Sequence, residues 1–203
     1  MDLARTSFAK LDELFRFASI EQKDQFMYFK AMILYYKGEI EAAQKSFSAL
    51  ALNPDTDIAN DVLKKLFIIK ENEQYVAALQ IFAKAELREY QKRSKESLEL
   101  YNEAIELAGK TQLSELSLYK SAFLEFNNKN YQNCRNFISK LSQGYPDSKE
   151  NDKYVYLTAE SYYYEENHPV ALKYYTELIT KYPSSIYIQD SRKKIRIIRE
   201  DKI

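Results

Sequence analysis

Few residues in this chain carry the side-chain chemistry of a catalyst, and their positions argue against that use. His168 is the only histidine, which excludes paired-histidine metal motifs and leaves any nucleophile–base pair dependent on one imidazole beside Pro169. Helix capping is the expected task there, with Asn167 or His168 before a proline in the first turn. Cys134, the only cysteine, allows no intramolecular disulfide, and its small-residue slot in a helical pattern predicts a core thiol rather than an exposed nucleophile. The acidic pairs Asp12-Glu13, Glu39/Glu41 and Glu165-Glu166 read as solvated faces or lysine partners at helical spacing. No glycine-rich phosphate loop is present. The expectation is a protein that is no enzyme and holds neither cofactor nor metal.

The residue type in excess is tyrosine: 18 of 203 residues, against no tryptophan, with 11 of the tyrosines from Tyr131 onward. Tyrosine offers a large contact area with few rotatable bonds and a hydroxyl that tolerates water. Such side chains need a scaffold, and composition limits which. The chain has only 3 glycines and 4 prolines, where average usage would give about 14 and 10. Few tight turns are possible, which argues against β-sandwiches and nucleotide-binding α/β folds and for long helices with brief connectors. With 45% hydrophobic and 30% charged residues the chain can bury a core. Thirty basic residues balance thirty acidic ones, so a general polyanion or nucleic-acid binder is disfavoured. The densest apolar run, Leu66-Phe67-Ile68-Ile69, is far too short to span a bilayer, and the start has no secretory-signal pattern.

Self-comparison finds a period of 37 residues: Tyr145-Pro146-Asp147-Ser148 recurs as Tyr182-Pro183-Ser184-Ser185, and the same offset carries Tyr119 onto Tyr156, Ala122 onto Ala159, Cys134 onto Ala171 and Leu141 onto Leu178. A small residue followed four and seven positions later by apolar ones marks one helix face. It occurs as Ala4/Phe8/Leu11, Ala43/Phe47/Leu50, Ser97/Tyr101/Ala104, Cys134/Ile138/Leu141 and Ala171/Tyr175/Leu178. The one irregular step, between Ala43 and Ser97, leaves room for an extra helix with Ile58, Val62, Leu63, Leu66 and Phe67 as its apolar stripe. This predicts an all-α chain of about eleven helices: 2–18, 22–37, 39–52, 57–71, 74–92, 95–109, 112–128, 131–144, 149–166, 169–181 and 185–200. As a single domain over 1–203 it divides into 1–18, the second half of an incomplete unit; a repeat at 22–54; the extra helix at 55–72; a divergent repeat at 74–110; repeats at 112–148 and 149–184; and a capping helix at 185–203. In that cap Ile188, Ser191, Ile195 and Ile198 form the inner face, with Arg192, Lys193, Lys194, Arg196 and Arg199 outside. Asp147 with Glu150 has the spacing of a capping box.

A helical hairpin with small residues where its helices meet and a proline closing the unit resembles the tetratricopeptide repeat family. The likeness is closest over 114–200, less over 27–54 and least over 55–109. The endings at Tyr145-Pro146 and Tyr182-Pro183 look like the bacterial cell-envelope branch, which includes outer-membrane assembly lipoproteins and the Tol-Pal-associated periplasmic protein. The resemblance implies a right-handed superhelical array of antiparallel hairpins, an α-solenoid, whose first helices line a concave face that holds peptides or partner domains. It implies no catalysis. It places the chain in the periplasm or cell envelope and leaves the cytoplasm open, and the half-unit at the start suggests the C-terminal piece of a longer array. The aromatic positions of the first helices, Tyr28, Tyr35, Tyr36, Phe82, Tyr90, Tyr119, Phe126, Tyr156, Tyr163 and Tyr164, would border that groove. The expected partner is therefore a protein or peptide, with no nucleic acid and no membrane insertion of this segment. Packing of the tyrosines between repeats is the competing reading for each residue, and self-association of the array is the competing function.

Overall fold

The computed structural model describes residues 10, 20–53 and 56–200, and among them all regular structure is helical. Ten helices follow in order: α1 (Ile20–Lys37), α2 (Ile40–Leu50), α3 (Ala59–Glu71), α4 (Val76–Tyr90, entered through a 3-10 turn at Glu73–Tyr75), α5 (Ser94–Ala108), α6 (Gln112–Asn127), α7 (Tyr131–Gly144), α8 (Asn151–Tyr164), α9 (His168–Lys181) and α10 (Ile188–Glu200). These are the elements expected from the periodicity, with ends shifted by up to three residues. The helix expected over 2–18, the pair Asp12-Glu13 and Pro54 lie outside the described residues, Lys10 apart. The chain divides into two compact units, Met1–Leu113 and Ser114–Ile203. Within each, consecutive helices pack as hairpins, the arrangement of a tetratricopeptide-like helical repeat array.

In the first unit α1 packs on α2, α2 on α3, α4 on α5, and α1 also reaches α4. Its core holds Ala31, Tyr35, Ala43, Phe47, Val62, Leu79, Phe82 and Tyr101, all essentially without accessible surface. The extra helix turns differently from the expected stripe. Val62, Leu66 and Ile69 face inward, while Leu63 and Phe67 are exposed, so the buried face follows the spacing 62, 66, 69. Ser97 takes the slot filled by alanine elsewhere because its buried hydroxyl donates to the Ala85 carbonyl at 2.9 Å, which leaves no polar group unsatisfied.

In the second unit α7 packs on α8, α8 on α9 and α9 on α10. Cys134 and Ala171, one period apart, are both fully buried, and Ala159, Ala171, Tyr175 and Ile198 form one cluster under Tyr156, Tyr162, Tyr163 and Tyr174. Alternate helices also meet, Tyr119 of α6 lying 5.9 Å from Tyr154 of α8. The proposed capping box is absent: Glu150 occupies the N-cap position without a side-chain cap bond, and its own N–H donates to Ser148 Oγ at 3.0 Å. Asn167 likewise holds the N-cap position of α9 with no side-chain cap bond, and His168 is the first helical residue, its Nδ1 buried without a partner.

The turns inside the hairpins repeat one geometry. Gly38, Lys92, Lys129 and Glu166 have φ of 80°, 61°, 63° and 61°. Each is followed by an N–H that reaches back five residues: Glu39 to Leu34, Arg93 to Arg88, Asn130 to Glu125 and Asn167 to Tyr162, at 2.8–3.0 Å. This left-handed residue after the helix, with its six-to-one hydrogen bond, ends each first helix and turns the chain into the second. The four positions keep the same steps as the buried small residues, including the long one across α3. The repeat is therefore written in the backbone as well as in the side chains.

Candidate partner-binding surface

The ten aromatic residues expected to border a groove separate into different environments. In the first unit Tyr35 and Phe82 are fully enclosed, which corrects their expected exposure: they are core residues and offer a partner no surface. Tyr28 and Tyr36 are half-buried, Tyr28 against Phe47 at 6.0 Å and Tyr36 against Tyr35 at 5.7 Å. Tyr90, at the end of α4, is 78% exposed.

Beneath them lies a buried polar cluster. Glu86 accepts a hydrogen bond from the Tyr35 hydroxyl at 2.8 Å and pairs with Lys65 of α3 at 2.5 Å, and the Lys65 ammonium sits 4.7 Å from the Tyr35 ring centre. The extra helix thus supplies a cation to this buried carboxylate. Burial, and then the negative charge of Glu86, push the Tyr35 hydroxyl well above the usual phenol range, so it stays a donor.

In the second unit the aromatics come together. Tyr119, Phe123 and Phe126 recur at four- and three-residue spacing along α6, and Tyr119 stacks on Phe123 at 6.3 Å. Phe126 meets Tyr164 of α8 edge to face at 5.7 Å and Tyr131 of α7 at 5.6 Å, while Tyr131 and Tyr164 stack at 6.3 Å. Phe123 is 40% and Tyr164 51% exposed, so this cluster presents ring surface whose geometry is held by neighbouring rings. Of the consecutive tyrosines Tyr162 stands apart, while Tyr163 and Tyr164 meet edge to face at 5.4 Å. Tyr162 stacks on Tyr174 at 5.7 Å with the Arg135 guanidinium 4.2 Å from its ring, Tyr163 lies under Lys194 at 3.9 Å, and Tyr164 joins the α6 cluster.

Tyr156 and Tyr163 are engaged by the last helix. The Tyr156 hydroxyl donates to Asp190, and its ring stacks on Tyr187 at 4.4 Å. Glu160, between them on α8, accepts from the Tyr175 hydroxyl and lies 3.9 Å from Lys194. Lys194 is thus turned inward, a correction to its expected place on the outer polar face, because a buried carboxylate and two tyrosine rings receive it. Burial raises the Glu160 carboxyl, partly offset by the Tyr175 hydrogen bond and by Lys194.

Phe123 and Tyr131 escaped the expected set. Phe123 stands one period before Glu160 and one turn after Tyr119, and that four-residue step was a signal in the sequence. Tyr131 lies one period before His168, outside the first helices altogether. A concavity of about 570 Å³ runs between α7 and α9 over α8, but Tyr162 and Tyr174 within it already stack on each other and Glu177 is paired with Lys181.

Other groups stay structural. Cys134 is buried, and burial pushes its thiol up to about 12, beyond the reach of a physiological nucleophile. Glu39 pairs with Lys37 at 2.8 Å and Glu165 with Arg135 at 2.7 Å, and no described helix is long and apolar enough to cross a membrane.

A comparison with curated proteins finds no match. Residues 155–185, most of α8 and all of α9 with the Tyr182-Pro183-Ser184-Ser185 ending, match the tetratricopeptide repeat family. The α8–α9 hairpin is thus similar in sequence, as in packing, to repeats that generally mediate protein–protein interaction and are typically non-catalytic.

Proposed function

We propose that this chain is a non-catalytic interaction scaffold that holds a partner segment against the aromatic face of its second unit, built by Tyr119, Phe123, Phe126, Tyr131 and Tyr164. Tyr156 and Tyr163 border that face, and Tyr28, Tyr36 and Tyr90 are the counterparts in the first unit. The observation that carries the reading is the ring cluster joining α6 to α8, partly exposed and pinned by the Phe126–Tyr164 and Tyr131–Tyr164 contacts. Rings held this way lose little freedom when a partner covers them, so more of the apolar contact is available for affinity. An extended or helical peptide with apolar anchors at alternate or i, i+4 positions suits the surface. The likeness of the Tyr-Pro endings to the envelope branch supports a place in the bacterial cell envelope.

A photo-crosslinking residue at position 164 identifies the partner, and the isolated partner segment is then titrated against Phe123→Ala/Tyr164→Ala. The double variant is expected to bind at least tenfold more weakly while far-ultraviolet circular dichroism is unchanged; equal affinity would overturn the proposal. Fractionation of the source cells tests the compartment, and a purely cytosolic protein removes the envelope part of the reading.

A further inference from the structure

The chain is neutral overall, yet its exposed charge is unevenly laid out. Helix α10 exposes Arg192, Arg196 and Arg199 at i, i+4 and i+7, with Lys193 beside them, while Ile188, Ser191 and Ile198 are buried on its other side. Helix α5 exposes Glu99, Glu103 and Glu106 at the same spacing, while Ser97, Tyr101, Ala104 and Ala108 face its core. Many exposed charges elsewhere are neutralised locally, as in Lys37–Glu39, Lys64–Asp61, Arg93–Glu96, Lys153–Glu150 and Lys181–Glu177. None of the three arginines or three glutamates forms an ion pair among the described residues. Like charges one turn apart repel and weaken their own helix, so each stripe gains from an opposite one laid against it.

We infer that the arginine stripe of α10 docks on the glutamate stripe of α5 in a second copy of this chain. Both stripes run over seven residue steps, about 10.5 Å of helix, so all three arginines meet a carboxylate at one crossing. The sign changes at one end of each: Lys95 stands one turn before Glu99, and Glu200 directly follows Arg199. An antiparallel crossing brings Glu200 toward Lys95 and also opposes the helix dipoles. Arginine suits this contact because its planar fork binds a carboxylate through two hydrogen bonds. Leu107, 52% exposed beside Glu103 and Glu106, supplies apolar contact at the same face. The contact joins two different patches, so it is heterologous and continues past a dimer unless it closes into a ring. It shares no residue with the aromatic face, and the two proposals fail independently.

Sedimentation velocity of the full chain over a wide concentration range tests this. Association is expected at about 50 mM salt and is lost at about 500 mM, where charge is screened within a few ångströms. Arg192→Glu/Arg196→Glu/Arg199→Glu and Glu99→Lys/Glu103→Lys/Glu106→Lys should each weaken association at least tenfold. An equimolar mixture of the two should recover it, and so should a chain carrying both sets. A wild-type monomer at low salt, association that survives either triple reversal, or a mixture that stays monomeric overturns the inference. A monomer that binds phosphatidylglycerol vesicles through the arginines assigns the stripe to lipid and overturns it equally.

Discussion

Glu86 and Glu160 occupy the same place two 37-residue periods apart, each a buried carboxylate on the first helix of a hairpin that accepts a tyrosine hydroxyl and faces a lysine. The lysines come from elements outside the regular repeat, Lys65 from the extra helix α3 and Lys194 from the terminal α10. The position between them in the period belongs to Phe123, and there the first helix carries an exposed ring in place of a buried charge.

Removing the cation from the first cluster should be costly. Lys65→Met leaves Glu86 buried with only its other partners and is expected to destabilise the protein by about 3 kcal/mol, whereas Lys65→Met/Glu86→Gln, which removes the buried charge and keeps an acceptor for the Tyr35 hydroxyl, should recover most of that loss. Urea unfolding followed by circular dichroism measures both, and equal stability of the two variants would contradict the assignment of Lys65 as counter-charge.

The second cluster predicts a pH dependence. Burial holds the folded-state carboxyl of Glu160 above its unfolded value, so the folded state keeps the proton to higher pH. Its contribution to stability is fully present below the ordinary carboxylate range and is lost as pH rises through the raised folded value. Wild type should therefore lose stability relative to Glu160→Gln as pH rises above the ordinary carboxylate range. Unfolding curves at several pH values test the sign; a constant difference refutes it.

The hairpin turns give opposite expectations for glycine and non-glycine positions. Gly38 has φ of 80°, its carbonyl accepts from Gln80 at 2.9 Å, and an added Cβ would lie 3.3 Å from Gln80 Cγ. Gly38→Ala should cost about 1–2 kcal/mol. Lys92, Lys129 and Glu166 hold the same left-handed conformation with side chains that disfavour it, so each change to Gly should stabilise by up to about 1 kcal/mol. Thermal or urea midpoints separate these signs.

Cys134 reports on the opening of the second unit. Its raised thiol and complete burial predict that a disulfide reagent at pH 8 reacts only at the rate at which the unit opens, and at once in urea. Cys134→Ala, which copies Ala171 one period on, should cost about 1 kcal/mol or less. Fast labelling of the native protein would contradict the burial.

The helices and their order were legible because burial in a repeat array imposes a period on residue size as well as on polarity. Ala43, Ser97, Cys134 and Ala171 are small wherever two helices cross closely, and all four are fully buried. The left-handed turns were legible only at Gly38. At Lys92, Lys129 and Glu166 the residue type carries no sign of a positive φ, because the six-to-one hydrogen bond of the turn holds the backbone there whatever the side chain.

The candidate surface was half legible. Aromatics recurring along the first helices were visible as a pattern, but Tyr35 and Phe82 are fully buried whereas Tyr164 is 51% exposed. Sequence by itself determined the helical hairpins, their 37-residue period and the small residues at the crossings, since each depends on spacing along one chain. Only the tertiary structure decided which rings remain open, why Lys194 turns inward, and that Lys65 answers Glu86. Those outcomes depend on what a neighbouring helix lays against the position, and that neighbour lies from about 20 to 50 residues away along the chain.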